Sequence, residues 1–230
     1  MSTLKENYPL KCKNWVIYDE LKEKLFISRE KIIFPDGHSA FFSKFLFSNS
    51  QFITLMNCIG NEMKKNTESF YVYNIYNRSL PIKEYCGTYF CPNKFENHPL
   101  CGVNWLVAKK IAEIFGSRLP WKSEMDYLTI NISNQKEINT DEMLGETNRV
   151  DYFCKDKFGL YDICGNLAEW CEDYNPEYFS EKLVYGVSWN NAFGGNRMFY
   201  RYKWEQLGAV SVGFRLVWDE TKKELSNLKK

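Results

Sequence analysis

The sequence predicts a single α+β domain with two helices, small antiparallel sheets and much irregular loop. Three observations carry this. Apolar residues recur at helical spacing twice before residue 120. Short β-branched and aromatic runs bounded by turn residues fill the N-terminal part. Residues 149–218 are dense in glycine and aromatics, with few helical stretches.

The elements follow in order. Trp15-Val16-Ile17-Tyr18, Leu25-Phe26-Ile27 and Lys31-Ile32-Ile33-Phe34 read as strands, so residues 1–39 are expected to supply the N-terminal strands of the domain. Pro35-Asp36-Gly37 is a turn signal. A helix follows, N-capped by Ser48 or Ser50, with Phe52, Leu55, Met56, Ile59 and Met63 on one face. The stretch from Asn66 to Asn97 is aromatic and irregular, and reads as strands and long loops. The second helix spans about Trp105 to Phe115. Ala108, Ile111, Ala112 and Phe115 share its face, and Gly116 suits its C-terminal cap. Arg118-Leu119-Pro120 ends that connection, and a short helical turn begins near Ser123-Glu124. Residues 131–148 are polar without period and are expected to form a surface loop. Residues 219–230 form a charged tail.

Basic and acidic residues number 30 and 29 in the 230-residue chain, so charge gives no pull toward nucleic acid or an anionic membrane. Aromatics reach 17%, enough for a sizeable core without disulfide staples. No apolar run approaches the roughly 18 residues of a membrane span. Met1 to Asn14 is polar and has no signal-like apolar stretch, so a cytoplasmic location is expected. The eight cysteines are then expected to be reduced thiols. No Cys-x-x-Cys spacing occurs, although Cys86, Cys91 and Cys101 form a loose cluster.

Three blocks carry a family likeness. The first is His98-Pro99-Leu100-Cys101-Gly102-Val103-Asn104-Trp105, followed by Gly116-Ser117-Arg118-Leu119-Pro120, Glu124 and Tyr127. The second runs Phe158-Gly159-Leu160-Tyr161-Asp162-Ile163-Cys164-Gly165-Asn166-Leu167-Ala168-Glu169-Trp170. The third is Gly186-Val187-Ser188-Trp189 with Gly213-Phe214-Arg215. In this order they resemble the formylglycine-generating, or sulfatase-modifying-factor, family over most of residues 40–218. The resemblance implies a C-type-lectin-like fold. It also implies a structural calcium ion in the second block, held by Asp162, Gly165, Leu167 and Glu169. Carboxylates and backbone carbonyls are the oxygen donors calcium prefers. A second calcium site of the family stays open here, with Asp151 available before Phe158.

Active members hold copper with two thiolates shortly after the Gly-Ser-Trp block. Those positions here are Asn191 and Asn196, and no cysteine follows Cys171. Amides do not replace thiolates toward soft Cu(I). Formylglycine formation is therefore not expected. The iron enzymes of the same fold use histidines, mostly from a separate helical domain, and this chain has only His38 and His98. Copper and iron are not expected as cofactors. What remains is the surface of the family's substrate groove. It is expected to involve Trp189, Asn190, Asn191, Phe193, Asn196, Arg197, Tyr200, Tyr202 and Trp204, with Phe199, Arg201 and Lys203 beside them. Aromatic, Asn and Arg side chains are good contact chemistry. The leading reading is a catalytically silent binding or regulatory module for a peptide or protein partner. The alternatives are a metal-dependent oxygenase using iron or copper with non-standard ligands, and a formylglycine generator with relocated thiols. Arg215 is expected to be structural.

Overall fold

A computed structural model of the chain describes residues 14–66, 81–130, 146–153, 155–190, 200–206 and 208–220. In chain order, α1 is Trp15–Ile27, β1 Arg29–Ile33, β2 Ser39–Ser43 and α2 Asn49–Asn66. Next come β3 Lys83–Tyr85, β4 Thr88–Phe90, a 3-10 turn Asn93–Phe95, α3 Trp105–Ile114 and α4 Lys122–Ile130. The last part holds β5 Ala168–Tyr174, β6 Glu181–Tyr185, β7 Tyr200–Trp204, β8 Val212–Gly213 and β9 Val217–Asp219.

The described residues thus form an α+β domain with four helices, which corrects the expected two-helix, C-type-lectin-like arrangement. Two differences account for the change. Trp15–Tyr18 and Leu25–Ile27 lie in one helix, not in strands. Their β-branched and aromatic residues favour a strand locally, but Tyr18, Leu21 and Leu25 bury a single helical face. Asn14 caps that helix by accepting from the Ile17 amide at 3.3 Å. The turn expected at Ser123-Glu124 extends into the full helix α4. There the buried Glu124 accepts from the Trp121 amide at 2.8 Å and from both terminal nitrogens of Arg118 at 2.8 and 2.7 Å.

The sheets are small. β1 and β2 form a hairpin over Pro35-Asp36-Gly37, and Gly37 takes φ +88° at the turn. β9 returns from the end of the domain to pair antiparallel with β2, giving the order β1-β2-β9. β3 and β4 pair alone. The four-stranded sheet has the order β7-β6-β5-β8, and β5 runs parallel to β8. That sheet is therefore mixed, where antiparallel pairing was expected.

Two main cores fill the interior. One joins α1, α2 and α3 with Trp170, Phe214 and Trp218. The other joins the β1–β2 hairpin, α4 and the inner face of β5 and β6. Backbone carbonyls outside the ladders are served by inward-facing indoles. Trp170 donates to the Val103 carbonyl at 3.0 Å, Trp105 to Cys171 at 2.7 Å and Trp218 to Phe115 at 3.1 Å. No helix among the described residues is long and apolar enough to cross a membrane.

Candidate functional site

The loop between Asp156 and Trp170 is built from tight local turns. Asp156 accepts from the Phe158 and Leu160 amides at 2.9 and 2.8 Å, which sets the turn at Gly159. Asp162 and Asn166 both take left-handed backbone, φ +56° and +58°. Asn and Asp tolerate this region better than most residues do. Asn166 is fully buried and acts as a hub. Its side chain accepts from the Asn148 amide at 2.9 Å and donates to the Asn148 carbonyl at 3.0 Å. It also donates to the Asp162 carboxylate at 3.0 Å, while its own carbonyl accepts from the Trp189 amide at 3.0 Å. One residue thereby fixes three segments.

Glu169 and Arg215 meet below this loop. Arg215 is 0% exposed and Glu169 1%. The guanidinium forks onto the carboxylate, Nε to Oε2 and an amino nitrogen to Oε1, both at 2.7 Å. Its remaining donors reach the Ser43 carbonyl at 3.2 Å and the Tyr161 carbonyl at 2.9 Å. A single arginine therefore ties β2, the Tyr161 turn and β5 together, as charge-assisted paired bonds do well.

These contacts bear on the expected calcium ligands. Asp162 is buried, and burial pushes its carboxyl up to about 7, with Asn166 and Arg215 opposing the rise. Gly165 and Leu167 lie on the same turn and offer only backbone carbonyls as oxygen donors. Glu169 is already committed through both oxygens to Arg215. Of the two expected carboxylate ligands, Asp162 accepts from Asn166 and Glu169 serves a guanidinium first.

Beside the loop lies a cleft of about 720 Å³. Trp189, Phe90, Phe95 and Pro99 supply its apolar walls, and Cys91, Cys101 and Thr147 also line it. Trp189 packs against the small core of Leu46, Val150 and Leu167. Thr147 is bonded to His98 at 3.0 Å, and burial holds the His98 imidazole below its usual range. Burial also raises both thiols, Cys101 to about 12. Neither is disposed to be a thiolate.

The expected groove residues separate. Trp189 lines the cleft. Asn190 is exposed next to it and accepts from the Ser188 hydroxyl at 2.8 Å. Tyr200, Tyr202 and Trp204 lie on β7 and pair with Tyr185, Leu183 and Glu181 of β6. Tyr202 packs on the second core, so it supports the sheet and does not line the cleft. Asn191, Phe193, Asn196, Arg197 and Phe199 lie outside the described residues, as does part of the aromatic stretch before residue 81.

The model of the sulfatase-modifying factor enzyme 1-like domain matches residues 38–220. The chain belongs to this family. Among curated relatives, it is 30% identical to serine/threonine-protein kinase pkn1 of Chlamydia pneumoniae over 154 residues, 63% of this chain and 24% of the kinase. The counterpart from Chlamydia caviae is 28% identical over the same length. The chain thus spans about a quarter of the curated relatives it matches. Among solved structures, CarF aligns with TM-score 0.58 at 14% identity, covering 80% of this chain and 87% of that one. Treponema denticola variable protein 1 aligns with TM-score 0.54 at 14% identity, covering 84% and 95%. At such identities the likeness is one of fold.

This sulfatase-modifying-factor domain has no obvious copper-binding cysteine pair, and the positions at which the resemblance expects one are Asn191 and Asn196. Among the described residues, no three His, Cys, Asp or Glu side chains gather to hold a metal ion. His38 sits at the β1–β2 turn, stacked on Phe34 and bonded to Asp36 at 2.7 Å, while His98 sits beside Phe95. No cysteine follows Cys171, so the stretch after Trp189 offers no thiol for a two-thiol copper site. Two features were missed from sequence. Asn166 was not singled out, although a Gly-Asn pair ending a turn is a signal for left-handed backbone. The part played by Phe90, Phe95 and Thr147 in the cleft left no local signal, because they come from separate turns.

Proposed function

We propose that this domain is a non-catalytic member of its family that binds a peptide or protein segment in the cleft beside Trp189. One observation carries the reading: the cleft is walled by aromatic and proline side chains, and its two thiols are held protonated by burial. Rigid aromatic walls give contact area at low entropic cost. Protonated thiols neither attack nor ligate well. Asn166 anchors the Trp189 backbone and, through Asn148, the segment bearing Thr147, so the wall is preorganised. The kinase relatives, in which the matching part is about a quarter of the chain, fit a recognition module that serves a larger polypeptide or partner.

We also assign calcium to the Asp162 turn. The buried carboxylate supports it, and each oxygen of Glu169 keeps a second lone pair beyond its bond to Arg215. The ion would reinforce the turn that supports Trp189.

The test is a peptide-array screen with the intact chain and its Trp189→Ala variant. Peptides retained by the wild type and lost by the variant, at unchanged melting temperature, support the reading. Identical retention by both proteins contradicts it.

A further inference from the structure

A second cavity, of about 480 Å³, is lined by residues of α1, of the start of α2 and of the turn at Val150. It shares no lining residue with the Trp189 cleft. Its volume falls within the roughly 300–1,000 Å³ that small-molecule sites occupy. The buried side chains of Leu21, Leu46 and Val150 and the half-buried ring of Phe45 form an apolar side. Ile17 also lines the cavity and is 42% exposed, although it is a large apolar residue.

The polar side consists of hydroxyls and a side-chain amide with unspent capacity. The Ser48 and Ser50 hydroxyls bond to each other at 3.0 Å, which uses one of their two protons. The Gln51 side-chain carbonyl accepts from the Ser48 amide at 2.8 Å, while its amino group has no protein acceptor among the described residues. The Thr54 hydroxyl donates to the Ser50 carbonyl at 2.8 Å and leaves its lone pairs for a ligand donor. The Ser28 hydroxyl has no protein partner among the described residues. Charge is balanced around the opening. Glu20 and Lys24 stand one turn apart on α1, and Asp151 is bound to Arg149 at 3.0 and 2.9 Å. The first amides of α2 are committed, Asn49 to the His98 carbonyl, Ser50 to the Glu96 carbonyl and Gln51 to the Ser48 hydroxyl. The lining therefore offers neither a net charge nor a set of free amides to hold an anion.

We propose that this cavity binds a neutral polyhydroxylated molecule the size of one or two pyranose rings. Its ring C–H bonds lie against Phe45 and Leu46, and its hydroxyls among Ser28, Gln51 and Thr54. A ligand hydroxyl both donates and accepts, and so matches a lining that offers free protons beside free lone pairs. The C–H face of a sugar ring is apolar, and covering Phe45 and Ile17 with it removes apolar surface from water. An anion finds no cradle here, and an apolar ligand would leave the hydroxyls unpaired at a cost. The site uses none of the residues of the Asp162 turn.

Saturation-transfer-difference NMR with the intact chain tests this. The probes are the methyl glycosides of glucose, galactose, mannose and N-acetylglucosamine, together with myo-inositol. At least one should receive saturation, strongest at its ring C–H protons, and inorganic phosphate should not displace it. The Ser28→Ala, Thr54→Val double variant should bind that probe about tenfold more weakly at an unchanged melting temperature, because each lost neutral hydrogen bond is worth a few-fold in affinity. Ser28→Trp fills the opening without removing a bonded group, and should abolish the transfer. Saturation of none of these probes by wild type overturns the proposal without any variant. Equal saturation by wild type and both variants, or displacement by phosphate, overturns it as well.

Discussion

Arg215 and Glu169 form a buried two-bond ion pair, with both contacts at 2.7 Å, that closes the end of the domain onto its central sheet. Burial alone would raise the Glu169 carboxyl, and the guanidinium opposes this. Burial outweighs that opposition, so the Glu169 carboxyl stays above its ordinary range even with the guanidinium against both its oxygens.

Removing one partner of such a pair typically costs about 3–5 kcal/mol, because the other charge stays buried alone. Arg215→Ala should therefore melt well below wild type and lose soluble yield. Glu169→Ala should behave alike. The Glu169→Ala, Arg215→Ala double variant should be less destabilised than the sum of the two, as double-mutant-cycle melts can show. Additive losses would mean the two residues act separately.

Asn166 is the second keystone. Asn166→Ala removes three side-chain hydrogen bonds and places an alanine at φ +58°. Each buried bond is worth about 0.5–1.5 kcal/mol net, so a loss of several kcal/mol is expected in denaturant melts. Asn166→Gly restores backbone freedom but not the bonds, and should recover only a fraction. Full recovery by glycine would show that the bonds contribute nothing.

Calcium at the Asp162 turn makes a separate forecast. A ligand bound only to the native state adds RT ln(1 + [L]/Kd), about 2.7 kcal/mol at a hundredfold excess over Kd. Chelator should lower the melting temperature of wild type, and calcium should restore it. Asp162→Ala should not respond to either. A wild-type curve that ignores chelator would remove calcium from the account.

His98 gives a pH forecast. Burial sets its folded pKa below the ordinary value of about 6.5. Between the two values the unfolded chain binds more protons than the native one, so this contribution to stability is lost as pH falls below about 6.5. Between pH 7.5 and 5.5, the melting temperature of wild type should drop more than that of His98→Gln. Parallel curves would show that the imidazole titrates alike in both states.

The sequence made some of this legible and hid the rest for physical reasons. The helices at Ser48 and Trp105 were readable because cap and apolar period agree. Asn49–Asn66 buries Phe52, Leu55, Met56 and Ile59, and α3 ends where Gly116 takes φ +63°. The structural part of Arg215 was also legible from Gly213-Phe214-Arg215. The helix at Trp15 was not, because its strand-forming residues pointed one way and packing the other. The Tyr18 hydroxyl donates to the Ile114 carbonyl at 3.1 Å and its ring stacks on Phe115, contacts nearly a hundred residues away. At the site, the motif around Asp162 was readable in one stretch. The Asn166 hub and the walls of the cleft depend on contacts between distant turns. The motif also left open that Arg215 engages both oxygens of Glu169, since a motif states which residues are present and not what they face.

The central claim is that this domain binds and does not oxidise. The direct measurement is mass spectrometry of a Cys-Thr-Pro-Ser-Arg peptide incubated with the chain, copper(I), oxygen and a reductant. The account predicts an unchanged peptide mass relative to a control without protein. Conversion of the peptide thiol to the aldehyde over many turnovers would contradict it, and would turn attention to Cys91 and Cys101 in the cleft.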